Sequence, residues 1–104
     1  MTKKYYKKQW VIVYLNINDV KGDYDDFSFS DLIKKDRSYD WTRLLYDIDK
    51  EGLKELIEVE KKDSHYRVTQ GNHRLKVLQY LYPPNNTLRF KLKRHETNWQ
   101  VHCN

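Results

Sequence analysis

The segment Gly71–Arg74 reads Gly-Asn-His-Arg and combines groups that can bind an anion. It follows an alternating, strand-like stretch and precedes an apolar helical pattern, so it predicts the start of a helix. A helix N-terminus exposes unpaired backbone N–H groups and carries a partial positive charge. Glycine lets a ligand approach the backbone, and the arginine fork matches phosphate oxygens. We therefore expect an anion site here, with nucleotide phosphates as its ligand.

A strand and a helix of about three turns must hold this segment in place. His65–Gln70 alternates in the way that is typical of a half-buried strand. Asn72 is the predicted N-cap, because its side-chain oxygen can accept a hydrogen bond from an N–H group two or three residues later. Pro83 and Pro84 forbid continuation of the helix. Its predicted apolar stripe consists of Leu75, Val77, Leu78 and either Leu81 or Tyr82.

The other predicted elements mix strands and helices without a regular βαβ repeat, which indicates the α+β class with a small mixed sheet and flanking helices. Strands are predicted at Trp10–Leu15, Leu56–Lys61, Thr87–Arg94 and Asn98–His102. Helices are predicted within Phe27–Lys35, with Ser30 as its cap, and at Trp41–Lys50, with Asp40 as its cap. Gly52 follows the second helix, where αL geometry favours glycine. Asn16–Asp26 is expected to be a polar loop with Asp23, Asp25 and Asp26 in solvent.

Two boxes in this chain resemble those of the ParB/sulfiredoxin-like superfamily. Gly71–Arg74 is similar to the family's Gly-x-(His/Arg)-Arg signature. In many phage and plasmid members the sequence at this place is Asp-Gly-Asn-His-Arg. Asp49–Val59 is similar to its Gly-(Ile/Leu)-x-x-Pro-Ile-x-Val box, whose glycine corresponds to Gly52 and lies near the bound nucleotide in the family. The match covers about residues 40–93 and implies a stand-alone ParB-like N-terminal or nuclease-type domain of phage or plasmid type.

The resemblance also implies a ligand and a function. The ligand would be a nucleoside triphosphate, ATP or CTP, with Mg²⁺ as a further candidate, and its phosphates would lie over the start of the helix. The nucleotide would control binding to DNA or to a host or phage protein, and family members often form homodimers. The predicted nucleotide-binding residues are Gly71, Asn72, His73, Arg74, Gly52 and Leu53.

Three departures from the family pattern bear on catalysis. Gln70 replaces the acidic residue before the glycine, and Leu56 replaces the proline of the first box. Asn72 stands where sulfiredoxins need a cysteine and chromosome-partition proteins have a glutamate, so sulfiredoxin redox chemistry is excluded. An alternative function is a ParB-like nuclease or nucleotide hydrolase. Its base or metal ligand would then come from Glu51, Glu55 or Asp63.

The chain has 104 residues, which fits one domain over residues 1–104, and a net charge of +5. Basic residues cluster in the N-terminal segment 1–9 and on one face of the last long strand, where they predict binding to a nucleic-acid backbone. A solvated tail and strand face are the alternative interpretation. A third function is therefore a small basic adaptor for DNA or a host protein, with a vestigial nucleotide site. The predicted nucleic-acid-binding residues are Lys3, Lys4, Lys7, Lys8, Arg89, Lys91 and Lys93.

Several classes of protein are disfavoured. No apolar run reaches the length of about 18 residues that a membrane helix needs, and no metal-ligand spacing of histidine and cysteine is present. The lone Cys103 fits a reducing compartment, so we expect a cytoplasmic protein without a resident metal site.

Overall fold

The computed structural model describes residues 10–93, which form a five-stranded mixed sheet and three α-helices. The strands are β1 (Trp10–Asn16), β2 (Val20–Lys21), β3 (Glu58–Lys61), β4 (Tyr66–Gln70) and β5 (Thr87–Lys93). The helices are α1 (Phe29–Lys35), α2 (Trp41–Glu51) and α3 (Asn72–Leu81), with a short 3₁₀ helix at Ile17–Asp19. Across the sheet the order is β1-β5-β3-β4-β2. The predicted α+β class, with a mixed sheet and flanking helices, is confirmed.

Both parallel and antiparallel pairs hold the sheet together. β5 pairs antiparallel with β1 and parallel with β3, while β4 pairs antiparallel with β3 and parallel with β2. The inner face of β5 carries Leu88, Phe90 and Leu92, as their alternation predicts, and Phe90 is fully buried. Val59 and Val68 extend the same apolar layer into β3 and β4. This layer packs against the apolar faces of the helices and forms the core.

The predicted loop at Asn16–Asp26 is partly wrong, because it contains the 3₁₀ helix and β2. Ile17 and Val20 belong to the buried core, and Val20 lies opposite Tyr66 in the parallel pairing with β4. A strand of two residues is too short to show a periodic pattern. Its existence depends on a partner strand that lies more than 40 residues away in the chain.

Of the caps predicted for α1 and α2, the one for α2 is confirmed and the one for α1 is wrong. Asp40 caps α2, and its carboxylate accepts a hydrogen bond from the N–H of Arg43 at 3.0 Å. α1 is capped by Ser28, whose hydroxyl accepts from the N–H of Asp31 at 3.1 Å. Ser30 lies inside the first turn, because α1 begins at Phe29 and Ser28 is the last residue with extended backbone.

Gly52 ends α2 with a positive φ of 77° and a ψ of −177°. The positive φ agrees with the prediction, but the αL conformation is wrong, because the extended ψ directs the chain away from the helix towards β3. The predicted strand at Leu56–Lys61 is shorter than expected. Ile57 precedes β3, is fully buried and accepts a hydrogen bond from the N–H of Lys91 at 2.9 Å.

Some predictions fall on residues outside the described range 10–93. These are the basic residues Lys3, Lys4, Lys7 and Lys8, the strand end Arg94, the strand Asn98–His102 and the lone Cys103. Within the described range, none of the helices has the length and apolar character needed to cross a membrane.

Candidate functional site

α3 begins at Asn72 itself, so the prediction that Asn72 is its N-cap is wrong. Gly71 is the N-cap, with φ 110° and ψ 31°, and its carbonyl accepts from the N–H of Leu75 at 2.9 Å. The side chain of Asn72 is engaged elsewhere: its Oδ1 accepts from the N–H of Asp23 at 2.8 Å, and its Nδ2 donates to Asp23 Oδ2 at 3.1 Å. The side-chain oxygen of Asn72 therefore bonds a residue 49 positions away in the chain instead of capping its own helix.

The acidic loop 22–26 is held against this helix start. Asp23 Oδ1 accepts from Arg67 Nη2 at 2.6 Å, and Asp25 Oδ1 accepts from Gln79 Nε2 at 3.1 Å. Both aspartates remain exposed, as predicted, but the expectation of a loop that merely faces solvent is wrong. A Cβ on Gly22 would lie 2.8 Å from Asn72 Oδ1, so the glycine permits this close approach.

Arg74 folds back over the glycine that precedes its helix. Its Nη1 donates to the carbonyl oxygen of Glu55 at 2.6 Å. A Cβ built on Gly71 would lie 2.8 Å from Arg74 Nη2 and 3.2 Å from Ile57 Cγ1. The left-handed backbone favours glycine here, and a side chain at this position would also have to displace the guanidinium.

A cleft of about 530 Å³ lies between α2, the chain after it and Arg74. It brings together three of the predicted nucleotide-binding residues, Gly52, Leu53 and Arg74. The other three predicted residues, Gly71, Asn72 and His73, are not among its lining residues. The lining contains both anionic and cationic side chains. Its other members are Leu44, Asp47, Ile48, Lys54 and Glu55.

The start of α3 presents backbone donors next to this cleft. The N–H groups of Asn72, His73 and Arg74 precede the first intrahelical hydrogen bond, which the N–H of Leu75 makes. No hydrogen bond from these three groups to another of residues 10–93 is present. They can therefore donate to an anion, and the helix dipole favours a negative charge at the same point.

His73 lies in a cluster of aromatic rings outside the cleft. Tyr39 stacks on it with ring centroids 3.9 Å apart and an interplanar angle of 23°. Trp41 is 4.9 Å away by centroid, and the hydroxyl of Tyr24 is 3.3 Å from Nε2. Burial lowers the pKa of His73, and the nearby charge of Asp36 opposes that effect.

This cluster, which sequence reasoning missed, ties α3 to the chain before α2. Trp41 is almost fully buried, and its Nε1 donates to Asp36 Oδ2 at 3.2 Å. Burial also raises the pKa of the Tyr39 hydroxyl, and the charge of Arg74 opposes this rise. The rings come from positions 24, 39, 41 and 73, so no local spacing signals their contact.

The residues proposed to replace the missing family acid do not converge in the described part of the chain. Glu51 is paired with Lys54 at 3.3 Å, Asp63 lies in the turn between β3 and β4, and Gln70 ends β4 opposite Glu58. Glu55 lines the cleft, and its backbone carbonyl oxygen accepts a hydrogen bond from Arg74. Within residues 10–93, no group of three or more His, Cys, Asp and Glu side chains is arranged to hold a metal ion.

Comparison with known proteins finds similarity in solved structures. No family model and no curated protein sequence matches the chain. Sulfiredoxin from Arabidopsis thaliana is 26% identical, with a TM-score of 0.54, and the match covers 90% of this chain and 98% of that one.

Two ParB structures have the same fold at lower identity. C-terminally truncated ParB from Caulobacter crescentus, complexed with CTP-γ-S, is 15% identical, with a TM-score of 0.54 and coverage of 82% of this chain and 45% of that one. A Pnob8-like ParB-N domain is 13% identical, with a TM-score of 0.55 and coverage of 88% and 33%. The chain thus spans less than half of either ParB chain. It has the fold of the ParB/sulfiredoxin-like superfamily.

Proposed function

We propose that this protein is a ParB-like domain that binds a nucleoside triphosphate in the cleft beside the start of α3. The observation that carries the proposal is the convergence of Gly52, Leu53 and Arg74 on one cleft. The similar ParB structure from Caulobacter crescentus contains CTP-γ-S, which makes CTP the first nucleotide to test.

The phosphates would lie over the N-terminus of α3. The backbone N–H groups of Asn72, His73 and Arg74 supply donors there, and the helix dipole adds a favourable field. A guanidinium has five N–H donors, and Nη1 of Arg74 makes the bond to Glu55. Arg74 can therefore donate to a phosphate through Nε and Nη2 while it keeps its hydrogen bond to Glu55.

The rest of the cleft suits the sugar and base. Gly52 and Leu53 present backbone and an apolar side chain to the cleft, and Leu44 and Ile48 of α2 extend the apolar wall. The carboxylate of Asp47 also lines it. Since a carboxylate repels phosphate, Mg²⁺ bound with the nucleotide would offset that repulsion. Nucleotide occupancy would then control binding to DNA or to a protein partner.

The test is calorimetric titration of the wild-type protein with CTP, ATP, GTP and UTP, each with and without Mg²⁺, supported by thermal unfolding. A nucleotide at a hundredfold excess over its dissociation constant raises the free energy of unfolding by about 2.7 kcal/mol. Arg74→Ala should abolish the heat of binding, whereas Arg89→Ala, on the exposed face of β5, should leave it unchanged.

The proposal fails if none of the four nucleotides binds, or if binding is equal in the wild type and in folded Arg74→Ala. Circular dichroism of the variant shows whether it is folded. Binding that both arginine variants weaken to the same extent would indicate general attraction between a basic protein and an anion, which also contradicts a specific site.

A further inference from the structure

One face of the sheet carries exposed rings and cations side by side on neighbouring strands. We call this surface the β1–β5 strip. It runs along the outer face of the two strands, and its residues are Trp10, Ile12 and Tyr14 on β1 and Arg89, Lys91 and Lys93 on β5.

The register of the antiparallel pair places each apolar residue directly opposite a cation. Trp10 lies opposite Lys93, Ile12 opposite Lys91, and Tyr14 opposite Arg89. The ammonium of Lys91 is 5.0 Å from the centroid of the Trp10 ring. Directly opposite residues in an antiparallel pair have Cβ atoms about 5 Å apart, so the strip is one continuous surface.

These apolar side chains are exposed because the other face of the same strands serves the core. Val13, which alternates with them, packs against the core beside Phe90. The exposed fractions are 42% for Trp10, 50% for Ile12 and 69% for Tyr14. Large apolar side chains left in solvent beside a row of cations indicate a surface for a partner that is anionic and has flat apolar groups.

We propose that the β1–β5 strip binds single-stranded DNA. The cations of β5 would contact successive phosphates, and the rings of Trp10 and Tyr14 would stack on bases. Aromatic rings beside a basic track are the combination that single-strand binding surfaces use, since every base offers a face for stacking. This inference concerns the sheet face opposite the helices and is independent of the nucleotide cleft.

The geometry disfavours duplex DNA. Residues two apart on a strand are about 7 Å apart, whereas bases stacked along one strand of a duplex are about 3.4 Å apart and are covered by their neighbours. Trp10 and Tyr14 are four positions apart, so they can each stack on a base only where the bases are splayed. A single strand can adopt that arrangement.

Two further features favour a DNA strand that follows β5. Glu58 lies beside Lys91 in the parallel pairing of β3 with β5, so a carboxylate borders the basic row and repels phosphates that stray from it. Ile12 offers an apolar contact for the methyl group of thymine. Uracil lacks that methyl group, so the strip should bind oligo(rU) more weakly than oligo(dT).

The experiment is fluorescence anisotropy with the full chain and a labelled oligo(dT) of about 12 nucleotides, in a series of salt concentrations. Trp10→Ala and Tyr14→Ala should each weaken binding about tenfold. The double variant Arg89→Ala with Lys93→Ala should reduce the slope of log K against log salt by about 1.4, since each phosphate contact on a single strand contributes about 0.7.

A matched control exists on α2, where Lys50 lies over the exposed ring of Tyr46 at 5.7 Å. Tyr46→Ala and Lys50→Ala remove one ring and one cation from the opposite side of the molecule and should leave binding unchanged. The proposal is overturned if oligo(dT) does not bind, or if the control variants weaken binding as much as the strip variants do. It is also overturned if a duplex of equal length or oligo(rU) binds as tightly as oligo(dT).

Discussion

The guanidinium of Arg74 lies against the α carbon of Gly71, so that a Cβ at residue 71 would be 2.8 Å from Arg74 Nη2. The same side chain donates to the carbonyl oxygen of Glu55, in the segment between α2 and β3. One arginine therefore joins the two sequence boxes physically. The glycine of the second box provides the space that this connection requires.

We expect Gly71→Ala to destabilise the protein by about 1–3 kcal/mol, because an alanine would be forced into a left-handed backbone and its Cβ would meet Arg74. Urea unfolding measures the change. If the contact with Arg74 contributes to this loss, the two substitutions should not be additive. In an Arg74→Ala background, Gly71→Ala should lower the free energy of unfolding by at least about 0.5 kcal/mol less than it does in the wild type.

Gly52→Ala is the control for this cycle. Gly52 also has a positive φ, but a Cβ there would meet nothing within 4 Å. Its cost should be the same with and without Arg74. If Gly71→Ala also costs the same in both backgrounds, the close approach of the arginine does not explain the glycine.

Local patterns in the sequence predict most of the fold. The α2 cap at Asp40 and the alternation on β5 are confirmed, because each depends on residues within one element. The end of α3 agrees as well, since Pro83 and Pro84 cannot continue a helix. These features are decided by backbone chemistry and by which face of an element is apolar.

The features that sequence reasoning missed depend on distant pairs. Asparagine often caps helices, yet the side chain of Asn72 forms hydrogen bonds with the backbone N–H and the carboxylate of Asp23 instead. β2 exists through its pairing with β4. The rings around His73 meet only when three separate segments pack together. Single-sequence patterns carry no information on such contacts, so the aromatic cluster required the structure. The two boxes did indicate three residues that line the cleft, Gly52, Leu53 and Arg74.

We expect Asp23→Ala to release the loop 22–26 from α3. The substitution removes the ion pair with Arg67 and the hydrogen bond from Asn72 Nδ2. Both partners are at least partly exposed, so the loss of stability should be about 1–2 kcal/mol. Hydrogen exchange of the loop amides should accelerate. Asp26→Ala, in the same loop, is the control and should change neither quantity; equal effects of the two variants would contradict a specific tether.

The cap of α2 gives a simpler prediction. Asp40→Ala removes the acceptor for the N–H of Arg43 and should cost about 1 kcal/mol. Asp40→Ser retains a capping oxygen and should restore most of the loss, as thermal or urea unfolding can measure. A serine variant as unstable as the alanine variant would show that the capping bond is not the source of the effect.

The burial of His73 predicts a pH-dependent stability. Burial among the rings of Tyr24, Tyr39 and Trp41 lowers its pKa below the ordinary value of 6.5, although the charge of Asp36 opposes this. In the window between the lowered pKa and 6.5, the unfolded chain binds more protons than the folded protein. The contribution of His73 to stability is therefore fully present above pH 6.5 and is lost as the pH falls through that window.

Urea unfolding between about pH 5 and 8, where histidine titrates, tests this sign. The free energy of unfolding of the wild type should fall as the solution is acidified, and His73→Gln should reduce that fall because glutamine does not titrate. If His73→Gln and the wild type lose stability in parallel, or if acidification stabilises the wild type, the neutral form of His73 is not the one that the aromatic cluster favours.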